Sequence, residues 1–173
     1  TYRYAYHYLL NMLPEELSES ELQKYFIGDR RDFASVQNIY EQFIYSAQNY
    51  QAMPNSIKYD SRRSQIKDLL CDFDVNQIKQ MDVDVLYHAF REEFEVTSKD
   101  SKRNSWWKWS RSCIEAADFM SNFTDADDFR RFVTQFDYNK LTRMALPLLI
   151  STKISGIGFA LACDCLKELG FLN

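Results

Sequence analysis

The residues best suited to chemistry lie near the end of the 173-residue chain, at Lys153-Ile154-Ser155-Gly156-Ile157-Gly158. Two glycines one residue apart let the backbone approach a ligand closely, because no Cβ stands in the way. If Gly158 opens a helix, the first N–H groups of that helix point outward unpaired and carry the positive end of its dipole. Such a terminus suits a phosphate without needing a basic side chain. Lys153 and Thr152 are close enough in sequence to add a charge and a hydroxyl. The competing explanation is a tight turn between two helices, with glycines that serve packing alone.

A second cluster is Trp106-Trp107-Lys108-Trp109-Ser110-Arg111, which follows Lys99, Lys102 and Arg103. Bases stack on Trp and cations hold phosphates. Helical spacing puts Trp106 and Trp109 on a core face, which leaves Trp107, Lys108 and Arg111 as candidates for contact with nucleic acid. Asp125, Asp127 and Asp128 can suggest a metal, but acids at the start of a helix have a simpler explanation in its dipole. Cys71, Cys113, Cys163 and Cys165 show no CxxC spacing, and His88 is the one His beyond the N-terminal segment, so no metal site is expected. The four thiols read as reduced, as in a cytoplasmic protein, nucleoid-associated if the source is bacterial.

The apolar pair Leu148-Leu149, the hairpin Ile154-Ser155-Gly156-Ile157-Gly158, and then Ala160-Leu161-Ala162 and Asp164 resemble the helix-hairpin-helix motif of DNA glycosylases (endonuclease III-like). The specific part of the likeness spans Lys153 to Gly170, and a looser likeness covers about residues 33 to 170. A second similarity is Ile44-Tyr45-Ser46-Ala47-Gln48-Asn49, which is similar to the family's early helix ending in a Ser-x-Gln type sequence near the DNA. The resemblance implies that Lys153, Gly156, Ile157 and Gly158 hold a DNA backbone phosphate, with a monovalent cation on nearby backbone carbonyls and no other cofactor. It implies that Gln48, with Asn49 beside it, fills the gap left by a flipped base, although a plain surface Gln explains that position as well. The activity implied for the whole protein is base flipping and cleavage of an N-glycosidic bond.

The chain departs from the family at the reacting groups. Lyase-type members carry a Lys two residues after the second hairpin Gly, where Ala160 stands here, so Schiff-base chemistry is not available at that place. The family's catalytic Asp lies in a loop beyond the second hairpin helix, and this chain stops at Asn173, before such a loop. Asp164 is inside the helix and does not match it. The expectation is a piece of a longer enzyme that holds the scaffold and hairpin without the acid that activates water. Two alternatives stay open: a non-catalytic helical protein-interaction domain, and an accessory domain of another DNA-processing protein.

The elements that must position these residues read as helices throughout. Gly (four) and Pro (three) are scarce, so breakers are few, and 46% hydrophobic residues exclude a disordered chain. The fold class expected is all-α, an orthogonal multi-helix domain with its hairpin motif near the C-terminus. One domain is expected over residues 1–173: N-terminal helices to about 30, a core from 31 to 173, and the hairpin over about 147–170. The Tyr-rich start reads as a helix with Tyr4, Tyr8 and Met12 aligned, docking on the core. Ser18 with Glu21 forms a capping box for a helix that ends at Gly28. Asp32 is expected to cap a helix whose stripe is Phe33, Val36, Tyr40, Phe43, Ala47 and Tyr50, bounded by Pro54. Further caps fall at Asp60 or Ser61, Asp74, Asp82, Asn104 or Ser105, and Thr124 or Asp125. Val85, Leu86, Ala89, Phe90 and Phe94 form one inner face, and residues 96–103 a loop. Pro147 favours the first turn of a helix, so a short helix is expected from Pro147 to Thr152, followed by the hairpin and a last helix from Phe159 to Leu169.

The net charge of −4 argues against a protein that coats long stretches of duplex, so any DNA contact must be a local patch. No signal peptide or membrane-spanning run is visible in the sequence, and no membrane partner is expected.

Overall fold

The structure, a computed structural model, describes residues 2–14, 18–20, 33–51 and 53–171. Among them are ten α-helices and no strand. They are α1 (Tyr2–Asn11), α2 (Val36–Gln48), α3 (Met53–Ile57), α4 (Tyr59–Leu69), α5 (Val75–Ile78), α6 (Val83–Glu93), α7 (Ser105–Met120), α8 (Ala126–Gln135), α9 (Lys140–Lys153) and α10 (Phe159–Glu168). A single 3-10 turn, Cys71–Phe73, joins α4 to α5. None of the helices is long and apolar enough to cross a membrane.

The long helix α7 is the spine. It packs against α2, α3, α5, α6 and α9, while α10 lies on α9 and α2. Its inner face explains this: Trp106, Trp109, Cys113, Ala116, Ala117 and Met120 recur at three or four and are all buried. Small Ala and Cys between large rings let the neighbouring helices come close. Two polar bonds fix α2 on α7, from Trp109 Nε1 to the Ile44 carbonyl at 2.9 Å and from the Tyr40 hydroxyl to the Cys113 carbonyl at 3.3 Å. Buried Trp and Tyr hydrogen-bond in this way because an unpaired polar atom in the core is costly.

Local side-chain caps set most helix starts. Asp74, Asp82, Asn104 and Asp125 each accept N–H groups of the following turn, as their positions in the sequence lead one to expect. Three boundaries differ. The cap of α2 is Ser35, which accepts from Asn38 N at 3.2 Å, and Asp32 lies outside the described residues along with Glu21 and Gly28. Helix α4 starts at Tyr59 behind Lys58, whose φ of 53° is left-handed, and neither Asp60 nor Ser61 caps it. Instead, Arg62 donates back to the carbonyls of Ser56 and Ile57.

The third boundary concerns Pro147. It lies inside α9, not at the start of a short helix. A capping box between Asn139 and Thr142 starts α9 seven residues earlier, and the ring of Pro147 is buried alongside Leu146 and Ile150. Burial and the box together outweigh the lost N–H and the ring clash that disfavour an internal proline. Two inner-face assignments also change. Val85 is 68% exposed, and at the N-terminus Tyr8 and Met12 face solvent, so they do not dock α1. The stripe of α2 holds, with Val36, Tyr40, Phe43 and Ala47 buried and Phe33 and Tyr50 packed at its ends. Pro54 lies within α3 and is not a bare boundary.

Candidate functional site: the α9–α10 hairpin

The turn between α9 and α10 is built on two buried isoleucines. Ile154 and Ile157 are almost fully buried, and Ile157 N donates to the Ile154 carbonyl at 3.2 Å. This closes a four-residue turn with Gly156 third, at φ +82°. A type II turn needs glycine at that position because an L side chain there meets its own backbone. A second constraint adds to the first: a Cβ on Gly156 would lie 2.7 Å from Ser112 Oγ. The fold itself therefore accounts for Gly156.

Gly158 is different. Its φ of −72° and ψ of 170° are open to any residue, and a Cβ added there would meet nothing within 4 Å. It is the N-cap of α10 and has no side chain to cap it. The N–H groups of Gly158, Phe159, Ala160 and Leu161 find no acceptor in the protein. They form an exposed, dipole-backed donor set at the start of a ten-residue helix.

Helix α7 holds the hairpin by both backbone groups of Ser155. Glu115 Oε2 accepts from Ser155 N at 2.6 Å, and Ser112 Oγ lies 2.5 Å from the Ser155 carbonyl and 3.0 Å from that of Lys108. The other Glu115 oxygen accepts from Arg111 Nε at 2.7 Å. Both carboxylate oxygens are thus occupied, so Glu115 is a clamp and not a free base. The sequence reading missed Ser112 and Glu115; the one available signal was a Ser interrupting the apolar face of α7 near Cys113.

The other expected residues divide. Lys153 is exposed at the end of α9, beside the hairpin, while the Thr152 hydroxyl is spent on the Leu149 carbonyl at 2.7 Å. Lys108 sits on the same face of α7 as Ser112, with its ammonium 5.9 Å from the Tyr50 ring centre. Arg111 is exposed but paired with Glu115. Trp107 is half-buried, donates to Asp84 at 2.6 Å, and has Lys102 over its ring at 5.6 Å, so it is an anchored ring and not a free stacking platform. Gln48 does not project as a wedge from α2: it is 4% exposed, and its Oε1 accepts from Tyr59 N at 3.2 Å. It caps the start of α4 from across the α2–α4 junction, while Asn49 next to it is exposed. Ser46, two residues earlier, is also buried, and its Oγ accepts from Gln42 Nε2 at 3.4 Å.

The monovalent cation expected at the hairpin needs several oxygens. The Ile154 and Ser155 carbonyls are taken, whereas those of Gly156 and Ile157 accept no hydrogen bond. A hard cation collects about six oxygens, so two carbonyls fit it only if a phosphate and water supply the rest. No group of three or more His, Cys, Asp or Glu positioned for a metal occurs among the described residues. Asp125, Asp127 and Asp128 form the cap and first turn of α8. Cys113 and Cys165 are buried, and burial pushes the Cys165 thiol up to about 12, so neither is a nucleophile.

No protein-family profile, curated protein or solved structure matches this chain.

Proposed function

We propose that this chain is a helix-hairpin-helix DNA-binding domain of the base-excision glycosylase type, which seats a backbone phosphate on the amides at the start of α10. The observation that carries the reading is Gly158: its missing side chain serves no internal contact, and four adjacent N–H groups stand without acceptors. A glycine that the fold does not require, opening a helix into solvent, suits the close approach of an anion. Lys153 at the rim adds a charge, and the free carbonyls of Gly156 and Ile157 can share a monovalent cation with the phosphate. In the whole protein this domain would present DNA for base flipping and cleavage of the N-glycosidic bond. Ala160 stands where a lyase carries its Lys, so the chemistry of the whole enzyme would be hydrolytic.

A protein-interaction domain is the second reading, favoured by the exposed Tyr138, Leu141, Met144 and Leu148 along α9 and its approach. Fluorescence anisotropy with a labelled duplex separates the two. Gly158→Asp puts a carboxylate where the phosphate sits and should cost at least tenfold in affinity, while Gly158→Ala, which adds bulk without charge, should cost a smaller part of it. Both variants must melt cooperatively. A folded Gly158→Asp variant that binds duplex as well as the parent would assign the hairpin to packing and favour the second reading.

A further inference from the structure

A groove of about 510 Å³ runs between the α3–α4 junction and the loop that leads into α7. Lys58, Arg62, Lys99 and Arg103 line it, with Glu95 as the one acid among its lining residues. Among the described residues, no ion pair involves any of these four cations. Like charges gathered in one concavity repel each other and lower stability, and they focus a positive potential on whatever enters. The remaining lining is rich in hydroxyls, and Ser98 Oγ accepts from Asn104 Nδ2, which leaves its own proton free to donate. The floor offers no face to a base. Trp106 is 2% exposed and stacks on Phe94 at 5.0 Å, and the Arg62 guanidinium lies over both rings. Cations and hydroxyls without an open ring suit phosphates and not bases.

The position of the groove connects it to the hairpin. Ser105 lines the groove and Ser112 holds the hairpin turn; they are seven residues apart, so they share one face of α7. Two turns of helix rise about 10 Å, close to the axial span of roughly three phosphates on one strand. Lys108 lies between them on that face. We propose that this groove binds the phosphate backbone of a DNA strand a few nucleotides from the phosphate seated on the hairpin. This rests on the proposed DNA-binding reading and extends it from a point contact to a track along one strand.

The test compares two double variants of equal charge change by duplex anisotropy over a range of salt concentrations. Lys99→Glu with Arg103→Glu reverses the groove, and Lys140→Glu with Lys167→Glu reverses two exposed cations elsewhere. Each phosphate contact contributes a slope of about 0.9 in log affinity against log salt. The groove variant should lower that slope by about two and weaken binding at low salt more than tenfold, while the control pair stays within about threefold of the parent. Equal behaviour of the two double variants would overturn the groove. Gly158→Asp, run beside them, keeps the two ideas separate. If it loses binding while the groove variant behaves as the control, the hairpin stands and the groove falls. If the groove variant alone loses binding, the hairpin site falls and the track from it falls too, with the groove left as the phosphate contact. A parent that does not bind duplex at low salt overturns both.

Discussion

At the scale of single residues, the hairpin sets two glycines side by side that are glycine for different reasons. Gly156 is held by its left-handed φ and by Ser112, whose Oγ would be 2.7 Å from a new Cβ. Gly156→Ala should therefore destabilise the domain by roughly 1–3 kcal/mol, because an L residue is strained there and a helix side chain must also give way. Gly158→Ala meets no neighbour and keeps an ordinary φ, so it should lie within about 0.5 kcal/mol of the parent. Urea denaturation of the two variants checks this directly. Comparable losses at both positions would mean that Gly158 too is built into the packing, and its value as a ligand site would disappear. The distinction was not legible from the sequence. The Gly-x-Gly spacing identifies the turn, but which glycine the fold needs depends on a side chain more than forty residues away on another helix.

At the scale of elements, α7 does two jobs with one helix: its inner face organises the core, and Ser112 with Glu115 grips Ser155. Glu115→Gln tests that grip. It keeps an acceptor for the Ser155 amide but removes the charge from two hydrogen bonds, which should cost about 1 kcal/mol. It also removes a carboxylate next to the proposed phosphate seat, so affinity for duplex at low salt should rise while the melting temperature falls. A fall in both would show that the hairpin depends on Glu115 for its shape. The elements themselves were largely readable. Asp74, Asp82, Asn104 and Asp125 act on N–H groups two or three residues ahead, and so local a signal survives in the sequence. The failures share the opposite cause. Pro147 is tolerated because tertiary packing buries its ring, α4 starts at Tyr59 because Arg62 and Gln48 bond across a junction, and Gln48 leaves the surface for the same junction. In each case a contact between elements overrode a local preference. The basic groove was half visible: Lys99 and Arg103 stood out beside the tryptophans, but Lys58 and Arg62 joined them only through the fold.

At the scale of the whole molecule, an acidic chain can still carry a cationic surface because its charges are segregated. Residues 97–112 hold five cations and one acid, whereas residues 113–139 hold six acids and two cations. The net charge of −4 is thus an average over unlike regions and leaves room for a local cationic patch. The groups that titrate with the fold lie elsewhere, in the core between α2, α4, α7 and α10. Burial raises the Tyr40 hydroxyl and the Cys113 and Cys165 thiols, the last to about 12. Tyr59 is raised first by burial and then by the Glu41 carboxylate, which its hydroxyl meets at 2.9 Å. All four are neutral acids held protonated by the folded state. Their contribution to stability is therefore complete below the unfolded values, about 8.5 for thiols and about 10 for tyrosines. Above those values the unfolded chain releases protons that the folded chain retains, so stability falls as pH rises. The urea midpoint should be steady from pH 6 to 8 and drop clearly by pH 10.5. Tyrosinate absorbance at 295 nm should show a group of tyrosines that ionise only as helical circular dichroism is lost. Tyrosines that all titrate near pH 10 with the helices intact would contradict the buried core between α2 and α7, and with it the spine on which both the hairpin and the groove are mounted.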